Sequence, residues 1–233
     1  MREAIEAGAP PSSPKLGEPL PPLDDEPIVQ AAEVEKECRR LGYPYGWRFI
    51  TCPQSNADRA KLLLVTLNPA GRAKHGPAWS QEAGSAYRVE AWNGLPAGTA
   101  PLQVQVQRLL AFLRLRDEEV FSAHYVPFRS PSWAELEHKQ EAEVFARTLW
   151  GWIQPKLRFD HIVCIGKERP GKAISALFNA KLETSLPVGW GSITADRYRL
   201  PDGRQLVALP HLSRFGIFGR QEGVGALKEL FEC

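Results

Sequence analysis

Three short polar segments hold the side chains of this 233-residue chain that could do chemistry. Residues 67–71 contain Asn68, residues 124–132 contain two serines and Arg129, and residues 210–215 contain His211. Their amide, imidazole, hydroxyl and guanidinium groups can orient a small polar molecule and can hold an anion such as phosphate. Taken singly, each has an ordinary interpretation, because Asn-Pro starts turns and a histidine at a strand end is usually a satisfied surface group.

Buried strands are predicted directly before these segments. The runs 61–66 (KLLLVT) and 161–165 (HIVCI) are continuous and apolar, which is typical of parallel strands buried on both faces. Residues 120–125 predict another short strand, and the Pro-Asp-Gly turn at 201–203 predicts a hairpin between 192–200 and 205–209. Each polar segment therefore follows a strand, where an open α/β sheet exposes its binding crevice.

Apolar stripes at helical spacing predict helices between these strands. They are expected over 28–41, near 106–113, over 133–153, near 173–178 and at 224–231. The alternation of strands and helices predicts the α/β class. We expect a three-layer α/β/α sandwich around a central, mostly parallel sheet of four strands.

The N-terminal 27 residues differ in composition from the rest. Seven prolines lie between Pro10 and Pro27 with few large apolar side chains, which predicts an extended or disordered acidic arm and leaves 28–233 as a single domain. Residues 1–37 carry a net charge of −6, whereas residues 38–233 carry +8. A basic body favours a polyanionic partner such as nucleic acid.

Several classes of protein are not expected from this composition. No window holds 18 uninterrupted apolar residues and the N-terminus lacks an apolar signal core, so we expect a cytoplasmic protein without a membrane partner. The four cysteines lack C-x-x-C spacing and are expected to be free thiols, with no metal site. Neither G-x-x-x-x-G-K-[ST] nor G-x-G-x-x-G occurs, so we expect no cofactor, and we expect a monomer.

The strand-end motifs match those of one known family in order and placement. The segment 66–71 (TLNPAG) is similar to a first motif of the type G-x-N-P-G with one inserted Ala, and 211–213 (HLS) is similar to H-P-S with Leu in place of Pro. The strand that ends at His124 and runs into Val126-Pro127-Phe128 is similar to the segment in which an Asn reads a base edge. Over about residues 45–231 the chain resembles the uracil-DNA glycosylase superfamily.

This resemblance implies a hydrolase that acts on the N-glycosyl bond of a flipped-out base and leaves an abasic site. In such an enzyme Asn68 would hold the attacking water and His211 would donate a hydrogen bond to the departing base. The base would be contacted by Leu67, Tyr87, His124 and Phe128. The DNA would be contacted by His75, Arg129, Ser130, Ser132, Ser213 and Arg214, with Phe215 as a wedge in the stack.

Two departures from the family pattern bear on substrate and rate. Asn68 stands where the faster enzymes of the family have Asp, so a strong general base is missing. His124 stands where uracil readers have Asn, and an imidazole cannot present the paired donor and acceptor of an amide. We therefore expect a uracil-like or modified pyrimidine, such as a substituted cytosine, in DNA repair or in defence against modified foreign DNA.

Two other functions stay open at this point. The chain could be a catalytically silent nucleic-acid-binding module of the same fold, since Asn68 is a weak base. It could also be a small-molecule hydrolase, or hold a nucleotide in the crevice, with no DNA partner. Release of a base from modified oligonucleotides separates the enzyme from the module, and salt-dependent affinity for a duplex separates a DNA ligand from a small one.

Overall fold

A six-stranded mixed sheet forms the centre of the computed structural model, which describes residues 29–232. The strands are β1 (Leu62–Thr66), β2 (Val120–His124), β3 (His161–Ile165), β4 (Lys181–Trp190), β5 (Ile193–Arg199) and β6 (Gln205–Leu209). Their order across the sheet is β2-β1-β3-β6-β5-β4. The first four strands in this order are parallel, and β5 is antiparallel to both of its neighbours.

The register brings the carboxyl ends of the parallel strands to one edge of the sheet. Thr66 pairs with His124 across β1 and β2, and Ile165 pairs with Leu209 across β3 and β6. Strands β1, β2 and β6 are buried at every position, as the continuous apolar run predicts for β1. The loops that follow these strands therefore emerge side by side.

Helices cover both faces of the sheet. They are α1 (Val29–Arg40), α2 (Ala86–Val89), α3 (Pro101–Leu113), α4 (Lys139–Ile153), α5 (Lys172–Leu177) and α6 (Val224–Phe231). Leu63 and Val65 of β1 share one core with α1, α4 and α5, whereas Leu62 and Leu64 share the other with α3 and α6. This alternation follows from the two-residue period of a strand and produces three layers.

The predicted α/β class is confirmed, but the predicted count of four strands is wrong. The hairpin around Pro201-Asp202-Gly203 is present as β5 and β6, and β4 adds a further strand at the edge. Strand β4 is mostly exposed or half-buried and contains Pro187 and Gly189, so it lacks the apolar run that marks the buried strands. Proline is tolerated there because an edge strand leaves half of its hydrogen-bonding groups unpaired.

The N-terminal arm, the cysteines and membrane-spanning helices were each the subject of a prediction from the sequence. The predicted arm, residues 1–27, lies outside the described residues. Cys38, Cys52 and Cys164 are buried free thiols, and burial raises the pKa of Cys38 and Cys52 to about 11. Between residues 29 and 232 there is no helix of the length and apolar character that a membrane span requires.

Candidate active site at the carboxyl edge of the sheet

The strand order creates a topological switch point beside β1. From β1 the chain passes to β2 on one side, and β3 then lies on the other side of β1. In open α/β sheets, ligands bind outside the carboxyl ends of the strands at such a point. All three polar segments identified in the sequence lie along this edge, because they follow β1, β2 and β6.

Asn68, in the loop after β1, is held in one orientation by the loop after β2. Its Nδ2 donates hydrogen bonds to Phe128 O at 3.2 Å and to Ser130 Oγ at 2.8 Å. A carbonyl oxygen only accepts hydrogen bonds, so the contact with Phe128 O fixes which end of the amide faces inward. Among the described residues no donor reaches Asn68 Oδ1, which leaves this oxygen available to a water or a ligand.

Ser130 helps to hold the Asn68 side chain in its orientation. It is 2% exposed, and its hydroxyl accepts from Asn68 and donates to Ser132 O at 2.9 Å. A bridge between Ala70 and Ser130 joins the two loops. Its burial and its hydrogen bonds fit a role in orienting Asn68, and the predicted contact of Ser130 with DNA stays a prediction.

His124 ends β2 and lies against Thr66, the last residue of β1. The His124 Nδ1 is 2.8 Å from Thr66 Oγ1, and the residue is 9% exposed. Burial lowers the pKa of His124 well below its ordinary value, and the positive charges of Arg48 and Arg129 lower it further. The imidazole is therefore neutral at pH 7, and its Nε2 has no hydrogen-bond partner in the described chain.

Two guanidinium groups beside this histidine differ in their pairing. Arg48 forms an ion pair with Glu90 at 2.8 Å. Arg129 donates from Nη1 to Ala70 O at 2.6 Å, while its Nε is buried without a hydrogen-bond partner. No carboxylate within residues 29–232 pairs with Arg129, and burial together with Arg48 lowers its pKa. An unpaired, partly buried cation of this kind favours an anionic ligand.

His211 follows β6 and is exposed at the other side of the switch point. Its Nδ1 is 2.8 Å from Ser213 Oγ. Desolvation by the surrounding protein lowers the pKa of His211, and the charge of Arg214 adds to that effect. Leu212, in the place of the family proline, is 1% exposed and anchors the turn in the core. His211 is thus a neutral imidazole with Nε2 free to meet a ligand.

Asn68 and His211 lie on the same edge but are not in contact. Strand β3 separates β1 from β6, and neighbouring strands are about 4.8 Å apart, so the two strand ends are roughly 10 Å apart. A planar heterocycle with its attached sugar fits a gap of this size. The two predicted catalytic residues therefore follow strand ends on the same edge of the sheet, with β3 between them.

The proposed aromatic contacts have to be corrected for two residues. Phe128 is fully buried and stacks on Tyr43 with ring centroids 4.6 Å apart. Tyr87 is 3% exposed and packs edge-on against Trp92 at 5.6 Å. Rings with so little accessible surface cannot stack on a base in this conformation. Both instead build the core beneath the crevice.

The remaining predicted residues lie on or near the surface of this edge. Leu67 is half-buried against the core, while His75 and Arg214 are exposed. Ser132 is exposed and donates to Glu135 Oε1 at 2.9 Å, and Ser213 contacts His211. Phe215 is half-buried beside Trp190. The DNA contacts expected of these residues stay predictions.

The loop after β3 also borders the site, although no sequence motif drew attention to it. Gly166 has φ +120°, and a Cβ there would lie 1.9 Å from Arg169 O. Lys167 forms an ion pair at 2.8 Å with Asp196 of β5, which is 4% exposed. A Gly-Lys pair directly after a buried strand is the signal that could have indicated this loop.

Comparison with known proteins does not extend this description. No protein-family model matches the chain, and no curated protein matches it. The relationship to uracil-DNA glycosylases therefore stays a prediction that rests on the strand-end motifs.

Proposed function

We propose that this chain is a monofunctional DNA glycosylase that hydrolyses the N-glycosidic bond of a flipped-out, uracil-like or modified pyrimidine. The observation that carries the proposal is the Asn68 amide, whose Nδ2 is bound to Phe128 O and Ser130 Oγ while Oδ1 stays without a partner in the described residues. A fixed acceptor at the switch point of an α/β sheet is suited to hold one water in a defined place. An amide cannot take up a proton readily, so the proposed chemistry requires orientation of water rather than strong base catalysis.

The proposed reaction separates charge between sugar and base. The C1′–N bond breaks, the base takes the electron pair, and the sugar becomes an oxocarbenium-like cation. The water held by Asn68 Oδ1 then forms a bond to C1′, and its proton passes to solvent or to the departing base. Little activation of the water is needed, because the carbon that it attacks is already electron-poor.

His211 stabilises the departing base in this mechanism. The mechanism requires the tautomer of the neutral ring with its proton on Nε2, in which Nδ1 accepts from the Ser213 hydroxyl over the 2.8 Å contact. The Nε2–H then donates to a base oxygen on which negative charge develops. Loss of one such donor typically costs about 3 kcal/mol of transition-state stabilisation.

Arg129 and His124 supply binding rather than chemistry. The unpaired guanidinium of Arg129, beside the Asn68 loop, suits a phosphate next to the reacting nucleotide. The neutral His124 offers one nitrogen to the base edge. One nitrogen cannot pair with both the carbonyl and the ring N–H of uracil, so selection of uracil itself is disfavoured. This supports a uracil-like or modified pyrimidine as the substrate.

Base release from a defined set of oligonucleotides tests the proposal. Single strands and duplexes would carry uracil, a thymine mismatch or a 5-substituted cytosine, and abasic sites would be detected by strand cleavage in alkali. We expect release from at least one modified pyrimidine. Asn68→Ala should lower that release at least about 100-fold while leaving affinity nearly unchanged.

Two results would favour the other functions. Tight, salt-dependent binding without release from any substrate would indicate a nucleic-acid-binding module, for which the weak basicity of Asn68 is a specific reason. No affinity for DNA at low salt would indicate a small-molecule ligand. Equal release by the parent and by Asn68→Ala would overturn the role given to the first motif.

A further inference from the structure

An exposed aromatic cluster lies on the rim of the site, at the end of edge strand β4. Trp190 is the last residue of β4 and keeps 38% of its surface exposed. Its Nε1 donates to Gly216 O at 3.3 Å, which ties it to the loop that begins with His211. The cluster therefore continues the candidate active site and does not form a separate surface.

The neighbours of Trp190 give this cluster a cationic character. The Arg220 guanidinium lies over the Trp190 ring, 4.5 Å from its centroid, and the Phe215 ring meets it nearly edge-on at 6.0 Å. Arg220 Nε is buried without a hydrogen-bond partner. The Glu222 carboxylate, on a mostly exposed side chain, is 3.8 Å away, which is too far for a hydrogen bond.

Further positive charge surrounds the same loop. Arg214 is exposed, and Arg108 donates to Phe218 O at 3.2 Å. Neither arginine forms an ion pair with a carboxylate in the part of the chain that the structure describes. An exposed indole with a guanidinium over its ring and further arginines in or against the neighbouring loop has the features with which proteins bind unstacked bases and their phosphates.

We propose that Trp190, Phe215 and Arg220 form a stacking platform for an unpaired base next to the nucleotide held in the crevice, with Arg214 and Arg108 near its phosphates. The position next to the crevice rests on the proposed function, but the platform itself requires only a nucleic-acid strand. A base inside a duplex has no free face for such a platform. The ligand is therefore a single strand, or a duplex opened at the site.

Binding of an unmodified oligonucleotide tests the platform independently of base release. A fluorescein-labelled single strand of natural bases would be titrated with the full chain at low salt and followed by fluorescence anisotropy. Trp190→Ala should weaken binding about tenfold, which is the usual effect of losing one base–aromatic stack. Trp190→Phe should recover most of that loss, because an aromatic face is restored.

Trp152 provides a matched control. It lies in α4, an element that does not contribute to the aromatic cluster, and is 40% exposed. Trp152→Ala therefore removes an indole of similar exposure outside the cluster. We expect Trp152→Ala to bind like the parent, and Arg220→Gln to lose affinity with a smaller salt dependence. Circular dichroism and thermal melting would confirm that each variant is folded.

The outcomes separate this proposal from the glycosylase proposal. Loss of binding in Trp190→Ala but not in Trp152→Ala supports the platform, even if no base is released from any substrate. Equal affinity of these two variants overturns it, even if base release is observed. Preference for an intact duplex that is unaffected by Trp190→Ala also overturns it.

Discussion

The orientation of Asn68 is decided by the next residue together with atoms about 60 residues away in the chain. Phe128 O and Pro69 O, both carbonyl acceptors, lie 3.2 and 3.3 Å from Asn68 Nδ2. An aspartate at this position would turn a carboxylate oxygen toward these carbonyl oxygens, which is repulsive. The site is therefore built for an amide, although a carboxylate would be the stronger base.

Asn68→Asp should not produce a faster enzyme. The lost hydrogen bonds and the repulsion should lower the free energy of unfolding by about 1–3 kcal/mol, and base release should not exceed that of the parent. Urea unfolding and single-turnover release measure the two effects. A faster variant of unchanged stability would show that the amide orientation has no role.

The charge state of His124 follows from its burial beside two guanidinium groups. Its pKa in the folded protein lies below the ordinary value of 6.5, so only the unfolded chain takes up a proton just below that pH. Well above pH 6.5 the ring is neutral in both the folded and the unfolded chain, and it does not lower the free energy of unfolding. As the pH falls below about 6.5, protonation of the unfolded chain lowers the free energy of unfolding progressively.

Acidification from pH 7 to 5.5 should therefore lower the free energy of unfolding. For one such group the slope reaches at most about 1.4 kcal/mol per pH unit. His124→Gln should make the dependence shallower, and His211→Gln should do so to a smaller extent, since the pKa of His211 is also lowered. Denaturant unfolding at four pH values gives the slopes, and identical slopes in parent and His124→Gln would contradict the assignment.

The conformation of the loop after β3 requires glycine at two positions. Gly166 adopts φ +120°, and a Cβ would overlap Arg169 O at 1.9 Å. Gly171, five residues later, packs so closely that its Cβ would lie 2.8 Å from Ala208 Cβ. The Gly166 position leaves no room for a side chain within the loop, and the Gly171 position brings the loop against β6.

Gly166→Ala should lower the free energy of unfolding by about 3 kcal/mol or more, because backbone atoms have to move. Gly203→Ala is the control: Gly203 also has positive φ, +87°, but nothing lies within 4 Å of its Cβ position. That variant should lose only about 1 kcal/mol from backbone strain. Equal losses in the two variants would show that the overlap at Gly166 is relieved without cost.

At the scale of the whole molecule, the described domain is basic, and within it two arginines at the edge that holds the site lack a carboxylate partner. Residues 38–233 carry a net charge of +8, and Arg129 and Arg214 at this edge have no carboxylate partner in the described chain. A phosphate backbone that follows the edge would release counterions from several contacts. Affinity for DNA should then fall steeply with salt concentration.

Arg129→Gln should reduce the slope of log K against log salt by about 0.9, as expected for one lost phosphate contact. Arg39→Gln changes the net charge equally, but Arg39 lies in α1, pairs with Glu35 at 2.6 Å and is 78% exposed. Its slope should match that of the parent. If both variants shift the slope alike, net charge and not a local phosphate contact determines affinity.

The sequence by itself determined the α/β class, the parallel strands and the edge at which the polar segments meet. The continuous apolar runs at 61–66 and 161–165 indicate strands buried on both faces, and each polar segment directly follows a predicted strand. Edge strand β4 was not predicted, because its mostly exposed residues form no continuous apolar run.

Only the tertiary structure decided which side chains are available to a ligand. Phe128 lies within the second polar segment and Tyr87 in the loop region after the first, yet packing from α4 and α3 buries both rings. Trp190, in contrast, becomes part of the rim through a hydrogen bond to Gly216. The free oxygen of Asn68 and the unpaired guanidinium of Arg129 also depend on contacts between loops distant in the chain. Burial and hydrogen-bond partners are properties of the packed molecule, so local residue patterns cannot specify them.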